Sequence, residues 1–104
     1  MNGHIIYSTK FSTDVDMFQT VAENQNLSKK DLRVFLFLCC RVGSRYYTKV
    51  DKKQIAESLC IPKKDIDKSL DNLEDNGIIK KGSDEHVKSG YKMTYTGFNK
   101  IEYL

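Results

Sequence analysis

The sequence predicts a mainly α-helical domain closed by a small β-hairpin. Three observations predict it. Apolar residues recur at helical spacing behind capping residues, with Ser28 paired to Asp31 and Asp51 to Gln54. Two short helical patterns meet at a tight turn around Cys60–Pro62. A pair of strand-like segments, 78–81 and 91–96, then follows, with Gly82 and Gly90 bounding a polar tip.

Each element has its own reason. Residues 4–11 are rich in strand formers but alternate poorly, so a short extended segment is expected. Ser12 or Thr13 can cap a helix over 14–25, where Asp14 and Asp16 meet the positive end of the helix dipole. Val15, Phe18 and Ala22 give that helix an apolar face, with Met17 and Val21 adjacent. A second helix over 28–42 starts at Ser28, with Leu27 and Leu32 placed as a hydrophobic staple and Gly43 as its stop. It is apolar nearly all round, which marks it as central to the core or shared with a partner. A third helix, 51–59, carries Ile55, Ala56 and Leu59 inward. Pro62 opens a fourth over 63–76, whose stripe is Ile66, Leu70 and Leu73, and Asn76-Gly77 ends it.

A chain of 104 residues with 39% hydrophobic residues suits one domain. No repeat or linker divides it. Residues 1–26 read as an N-terminal extension with a helix and possible dimerisation role, 27–96 as the core, and 97–104 as a C-terminal tail. The Met1 start is expected of a whole small protein or an N-terminal domain. No apolar run approaches the ~18 residues of a membrane span, and residues 1–11 lack a secretory layout, so a cytoplasmic protein is expected. Cys39, Cys40 and Cys60 make no disulfide framework and no zinc spacing, and they read as small buried hydrophobes. No metal or cofactor is expected. Glycine-rich phosphate loops, G-x-S-x-G and H-E-x-x-H are all missing from the sequence, so catalysis is not expected.

The net charge is +3, and its distribution says more than its size. From Arg45 to Lys64 there are six cations and two acids, whereas Asp65 to Asn76 holds five acids and one lysine. From Lys80 to Lys92 four lysines face two acids.

The informative stretch is Gln54 to Lys81, QIAESLCIPKKDIDKSLDNLEDNGIIKK. Two helices crossing at a tight turn, followed by a hairpin, make a helix-turn-helix with a wing. Ile55-Ala56-x-x-Leu59-Cys60-Ile61-Pro62 and Ile66-x-x-x-Leu70-x-x-Leu73-Glu74-x-x-Gly77-Ile78-Ile79 resemble the winged helix-turn-helix superfamily, in particular its MarR-like and plasmid replication initiator (RepL-type) branches. The resemblance covers about Leu27 to Thr96. Two positions depart from the family pattern. Cys60 stands where a turn glycine is usual, which is of little cost if the backbone stays near helical values there. Pro62 stands where a serine cap is usual, which removes a cap oxygen.

The resemblance implies a double-stranded DNA partner, with helix 63–76 in the major groove and the wing along the backbone. It further implies a transcriptional regulator, or an accessory factor of plasmid or mobile-element replication or transfer. Lys63, Lys64, Asp67 and Lys68 lie at the leading end of that helix. Lysine can reach guanine edges or phosphate, and an acid can accept from cytosine N4. Lys52 and Lys53 start the preceding helix as phosphate contacts, and Lys80, Lys81 and Lys88 belong to the wing. A homodimer on a symmetric site is expected, using the Val15–Phe18 helix or the Phe35, Phe37 and Leu38 region. Nothing identifies a small-molecule effector. The competing reading is a winged helix used for protein–protein interaction, which the acids Asp67, Asp71 and Asp75 favour.

Overall fold

The computed structural model describes the backbone at residues 3–4, 11–82, 90–95 and 102–103, and side chains over 17–82 and 90–95. In chain order the elements are β1 (Gly3–His4), α1 (Phe11–Glu23), α2 (Lys29–Cys39), β2 (Thr48–Lys49), α3 (Lys52–Leu59), α4 (Lys63–Asp75), β3 (Ile79–Lys81), β4 (Gly90–Met93) and β5 (Glu102–Tyr103). The four helices and the wing hairpin stand where the sequence places them. Of the expected extended segment 4–11, residues 5–10 lie outside the described residues; His4 stands in β1, which pairs antiparallel with β5, and Phe11 already opens α1.

The helix starts follow their caps. Ser28 Oγ accepts from Asp31 N–H, and Asp31 Oδ2 accepts from Ser28 N–H at 2.9 Å, so both halves of the capping box are made. Asp51 accepts from the N–H groups of Lys53 and Gln54 and caps α3. Pro62 caps α4 with no side-chain bond, as its ring requires. Helix α1 begins earlier than expected, so Ser12 and Thr13 lie inside it. Helix α2 ends at Cys39, three residues short of the expected 42, because Cys40 already closes it.

Helices α2, α3 and α4 enclose the core. Ile55, Ile66, Leu70 and Leu73 are buried as expected, together with Val34, Phe35, Leu38, Ile61, Ile79 and Met93. Leu59 is a correction: it is only half-buried, because it sits in the last turn of α3 beside the exposed turn. Among the described side chains of α1, Met17 and Val21, one helical turn apart, are buried. Ala22 is exposed, and Phe18 meets Phe35 edge-on at 5.9 Å. Of the cysteines only Cys39 is buried, where burial pushes its thiol far up. Cys60 is exposed and Cys40 half-buried. With Phe35 and Leu38 consumed by the core and Phe37 half-covered under Arg41, Leu36 is the exposed apolar residue of α2. Phe35 and Leu38, named with Phe37 as a candidate dimer face, thus lie inside the core of the domain itself.

The turn between α3 and α4 also departs from expectation. Cys60 has φ 55° and ψ 44°, a left-handed conformation rather than a helical one. It lets Ile61 N–H return to Ala56 O at 3.1 Å and close α3. Gly77, at φ 73°, does the same for α4: Ile78 N–H reaches Leu73 O and Gly77 N–H reaches Glu74 O. A Cβ at Gly77 would meet nothing within 4 Å, so glycine is required there by its dihedral angle and not by crowding.

The wing is a three-stranded sheet in the order β2-β4-β3. Strand β2 is an addition to the expected hairpin: Thr48 pairs with Tyr91 and Lys49 with Gly90. On the other edge Ile79 opposes Met93, Lys80 opposes Lys92, and Lys81 opposes Tyr91.

Candidate nucleic-acid interface

Three elements converge where the leading ends of α3 and α4 meet the wing. Lys52 and Lys53 come from the first turn of α3, and Lys63 from the first turn of α4. Lys81 ends β3, and Tyr91 stands beside it on β4. Together with Val50 and Asp51 they line a hollow of about 340 Å³. The first N–H groups of a helix have no carbonyl partner inside it; α4 starts with no side-chain cap, so its positive end adds to the four ammonium groups, whereas at α3 the Asp51 carboxylate already takes two of these N–H groups.

One of those charges is already engaged. Lys52 Nζ lies 2.9 Å from Asp67 Oδ1 on α4, and that bond holds the ammonium above its usual range. Burial pushes the nearby Tyr91 hydroxyl up as well, with the charge of Lys52 opposing the shift. Asp67 is thus tied to α3 and does not stand free for a base. On the other flank of α4, Asp65 Oδ2 meets Lys30 Nζ at 2.8 Å, and this bond keeps the Asp65 carboxyl below its usual range. Two of the five acids of Asp65–Asn76 are therefore paired with lysines of the domain, and a third, Glu74, accepts from the Lys81 N–H.

The outward stripe of α4 carries Lys64 and Lys68 in its leading half and Asp71 and Asp75 behind, all exposed. Its orientation is set from behind. Asn72 Nδ2 donates to Asp31 Oδ2 at 2.6 Å and to Asn26 O at 3.1 Å. Asn76 Nδ2 donates to Asn72 O, and Asn24 Nδ2 to Asn76 Oδ1. Asp31, buried at 6% exposure, is the hub of this network. Burial pushes its carboxyl up, but bonds from Ser28 N–H, Ser69, Asn72 and the Ser28 hydroxyl outweigh that and leave it below the usual value. Arg33 Nη2 donates to Leu59 O at 2.8 Å and fastens the end of α3 to α2.

Of the residues assigned from sequence, Lys52, Lys53, Lys63 and Lys81 are brought together, and Lys64 and Lys68 stand beside them on the exposed stripe of α4. Lys80 is not part of this set. Side chains alternate along a strand, so with Lys81 toward the hollow, Lys80 takes the opposite face. Lys88 lies outside the described residues. Tyr91 and the Lys52–Asp67 pair escaped the sequence reading. The register of a hairpin with a long tip and the crossing of two helices are needed to find them.

No helix among the described residues is long and apolar enough to cross a membrane. Searches of curated proteins and of solved structures returned no match to this chain. A family model does match, described as Rio2, N-terminal, and it covers residues 24–101. This is a winged-helix family distinct from the MarR-like and plasmid-initiator branches that the motif resembles. The match spans α2, both helices of the helix-turn-helix and the whole wing sheet, well over half of the chain. The chain therefore belongs to the winged-helix family described as Rio2, N-terminal.

Proposed function

We propose that the chain binds double-stranded DNA, with α4 entering the major groove and the wing lying along the backbone. The observation that carries this reading is the convergence of Lys52, Lys53, Lys63 and Lys81 on one hollow between two helix starts and the wing. A duplex phosphate strand is the polyanion that such a concentration of positive charge attracts. Lys64 and Lys68, exposed on the leading half of α4, are the side chains placed to reach base edges. The pairing of Asp65 with Lys30 and Asp67 with Lys52 lowers the acidity that α4 presents to DNA.

The finer form of this proposal is a transcriptional regulator, or an accessory factor of plasmid or mobile-element replication or transfer, working as a homodimer on a symmetric site. One domain of this size offers limited contact area, and a second copy doubles it.

The test is fluorescence anisotropy on duplex DNA titrated with salt. Wild type should bind, with affinity falling steeply as salt rises. The variant Lys63→Ala/Lys81→Ala should weaken binding equally on all sequences and flatten the slope of log K against log salt by roughly 0.9 per lost phosphate contact. Lys64→Ala/Lys68→Ala should also cost discrimination, on the order of 1–3 kcal/mol at a base pair that either lysine reads. Unchanged affinity and slope for a folded Lys64→Ala/Lys68→Ala variant would remove α4 from DNA. The exposed acids Asp71 and Asp75 would then favour the second reading, a winged helix that docks on a basic protein surface.

A further inference from the structure

The wing sheet has a second face, turned away from the helices. Thr48 opposes Tyr91 and Lys80 opposes Lys92, so Tyr47, Lys92 and Lys80 fall in one row across the three strands. Ile79, Tyr91 and Met93 are buried on the core side, which leaves Lys80 and Lys92 on the outer side. Lys49, two residues beyond Tyr47, shares that outer side and is exposed. Lys92 Nζ stands 4.8 Å from the centroid of the Tyr47 ring. Immediately before β2, Arg45 and Tyr46 are both exposed, Tyr46 at 71%. From Val42 to Val50 the chain carries no acid.

We propose that this outer face is a second binding surface, specific for single-stranded nucleic acid. Four cations alone would hold any polyanion. The two tyrosines narrow the choice, because an aromatic ring stacks on a base only when that base is free of its own stack. Arg45, Lys49, Lys80 and Lys92 contact the phosphates, Tyr47 receives an unpaired base on the face itself, and Tyr46, exposed on the bend that leads into β2, receives a second at its edge. The face lies on the opposite side of β3 from Lys81 and the hollow. The proposal therefore stands independently of the duplex reading.

The experiment uses the full chain and fluorescein-labelled oligo(dT) and oligo(rU) of equal length, followed by anisotropy at low salt. Wild type should bind at least one of them, and the comparison of sugars identifies the better substrate. Tyr46→Ala should weaken that binding roughly tenfold, and Tyr46→Phe should retain it. Lys80→Ala/Lys92→Ala should weaken it too, and flatten the salt slope by about 0.7 per lost phosphate contact. Tyr46 is exposed, so circular dichroism and melting of Tyr46→Ala should match wild type. Lys64→Ala/Lys68→Ala should leave single-strand binding intact. Failure of wild type to bind either oligonucleotide would overturn the proposal. So would loss of binding in Lys64→Ala/Lys68→Ala with no loss in Tyr46→Ala, since the strand would then lie on α4.

Discussion

Two residues show how local conformation and charge set the stability of this domain. At Cys60 an L-residue occupies a left-handed turn that glycine fills without steric cost. The thiol offers little in return, since it is exposed and its contact with Glu57 O is long, at 3.9 Å. Cys60→Gly should therefore stabilise the domain, by about 1 kcal/mol, the order of the left-handed penalty. Chemical denaturation with an unchanged m-value is the check, and a destabilised variant would mean the turn is not left-handed in solution. Asp31 is the opposite case, a charge that the fold favours. Its carboxyl lies below its usual value of 3.8 when folded. The unfolded chain thus binds the proton more tightly, and the stabilisation is present above that value and lost as pH falls through the folded one. Wild type should lose stability in acid more steeply than Asp31→Asn, as measured by denaturation at pH 6 and pH 3. Parallel losses would remove Asp31 as the source.

At the scale of elements, α4 is both the back wall of the core and the front of the candidate site. Its inner stripe of Ile66, Leu70 and Leu73 is fully covered. Leu70→Ala should cost ~2–5 kcal/mol in chemical denaturation, and a cost below about half a kcal/mol, the range of a surface change, would mean the helix is turned differently. That stripe was legible because helical spacing is a local signal, as was the start of α2, where Ser28 and Asp31 advertise their cap. On α1 the expected face is met in part: Phe18 packs on the core, Ala22 is exposed, and Met17 and Val21 beside that face are buried instead, a choice that apolar spacing alone does not make; the side chain of Val15 lies outside the described residues. Strand β2 was invisible for a different reason. Two residues carry no periodicity, and their partner, β4, lies beyond two helices. Lys80 and Lys81 were legible in principle, since neighbours in a strand cannot share a face. The pairing of Asp67 with Lys52 was not, since it depends on how α3 crosses α4.

For the whole molecule, the distribution of charge over distinct surfaces matters more than its net value. The hollow and the leading half of α4 are basic, the trailing half of α4 is acidic, and the outer wing face is basic again. Sedimentation equilibrium with and without a duplex tests the proposed assembly: two copies per symmetric duplex are expected, and one copy at saturation would contradict the homodimer. The order β2-β4-β3 carries a further consequence, for the sequence of events in folding. The strand in the middle of the sheet is the last of the three to be synthesised, so β2 has no partner until the chain has extended past both helices and β3. Closing so long a loop is slow compared with forming helices, whose contacts are local. Helices α2, α3 and α4 should therefore assemble first, and the wing should lock onto a helix-turn-helix that already exists. In pulse-labelled hydrogen exchange, amides of β4 that bond across the sheet should gain protection later than those in the middle of α4.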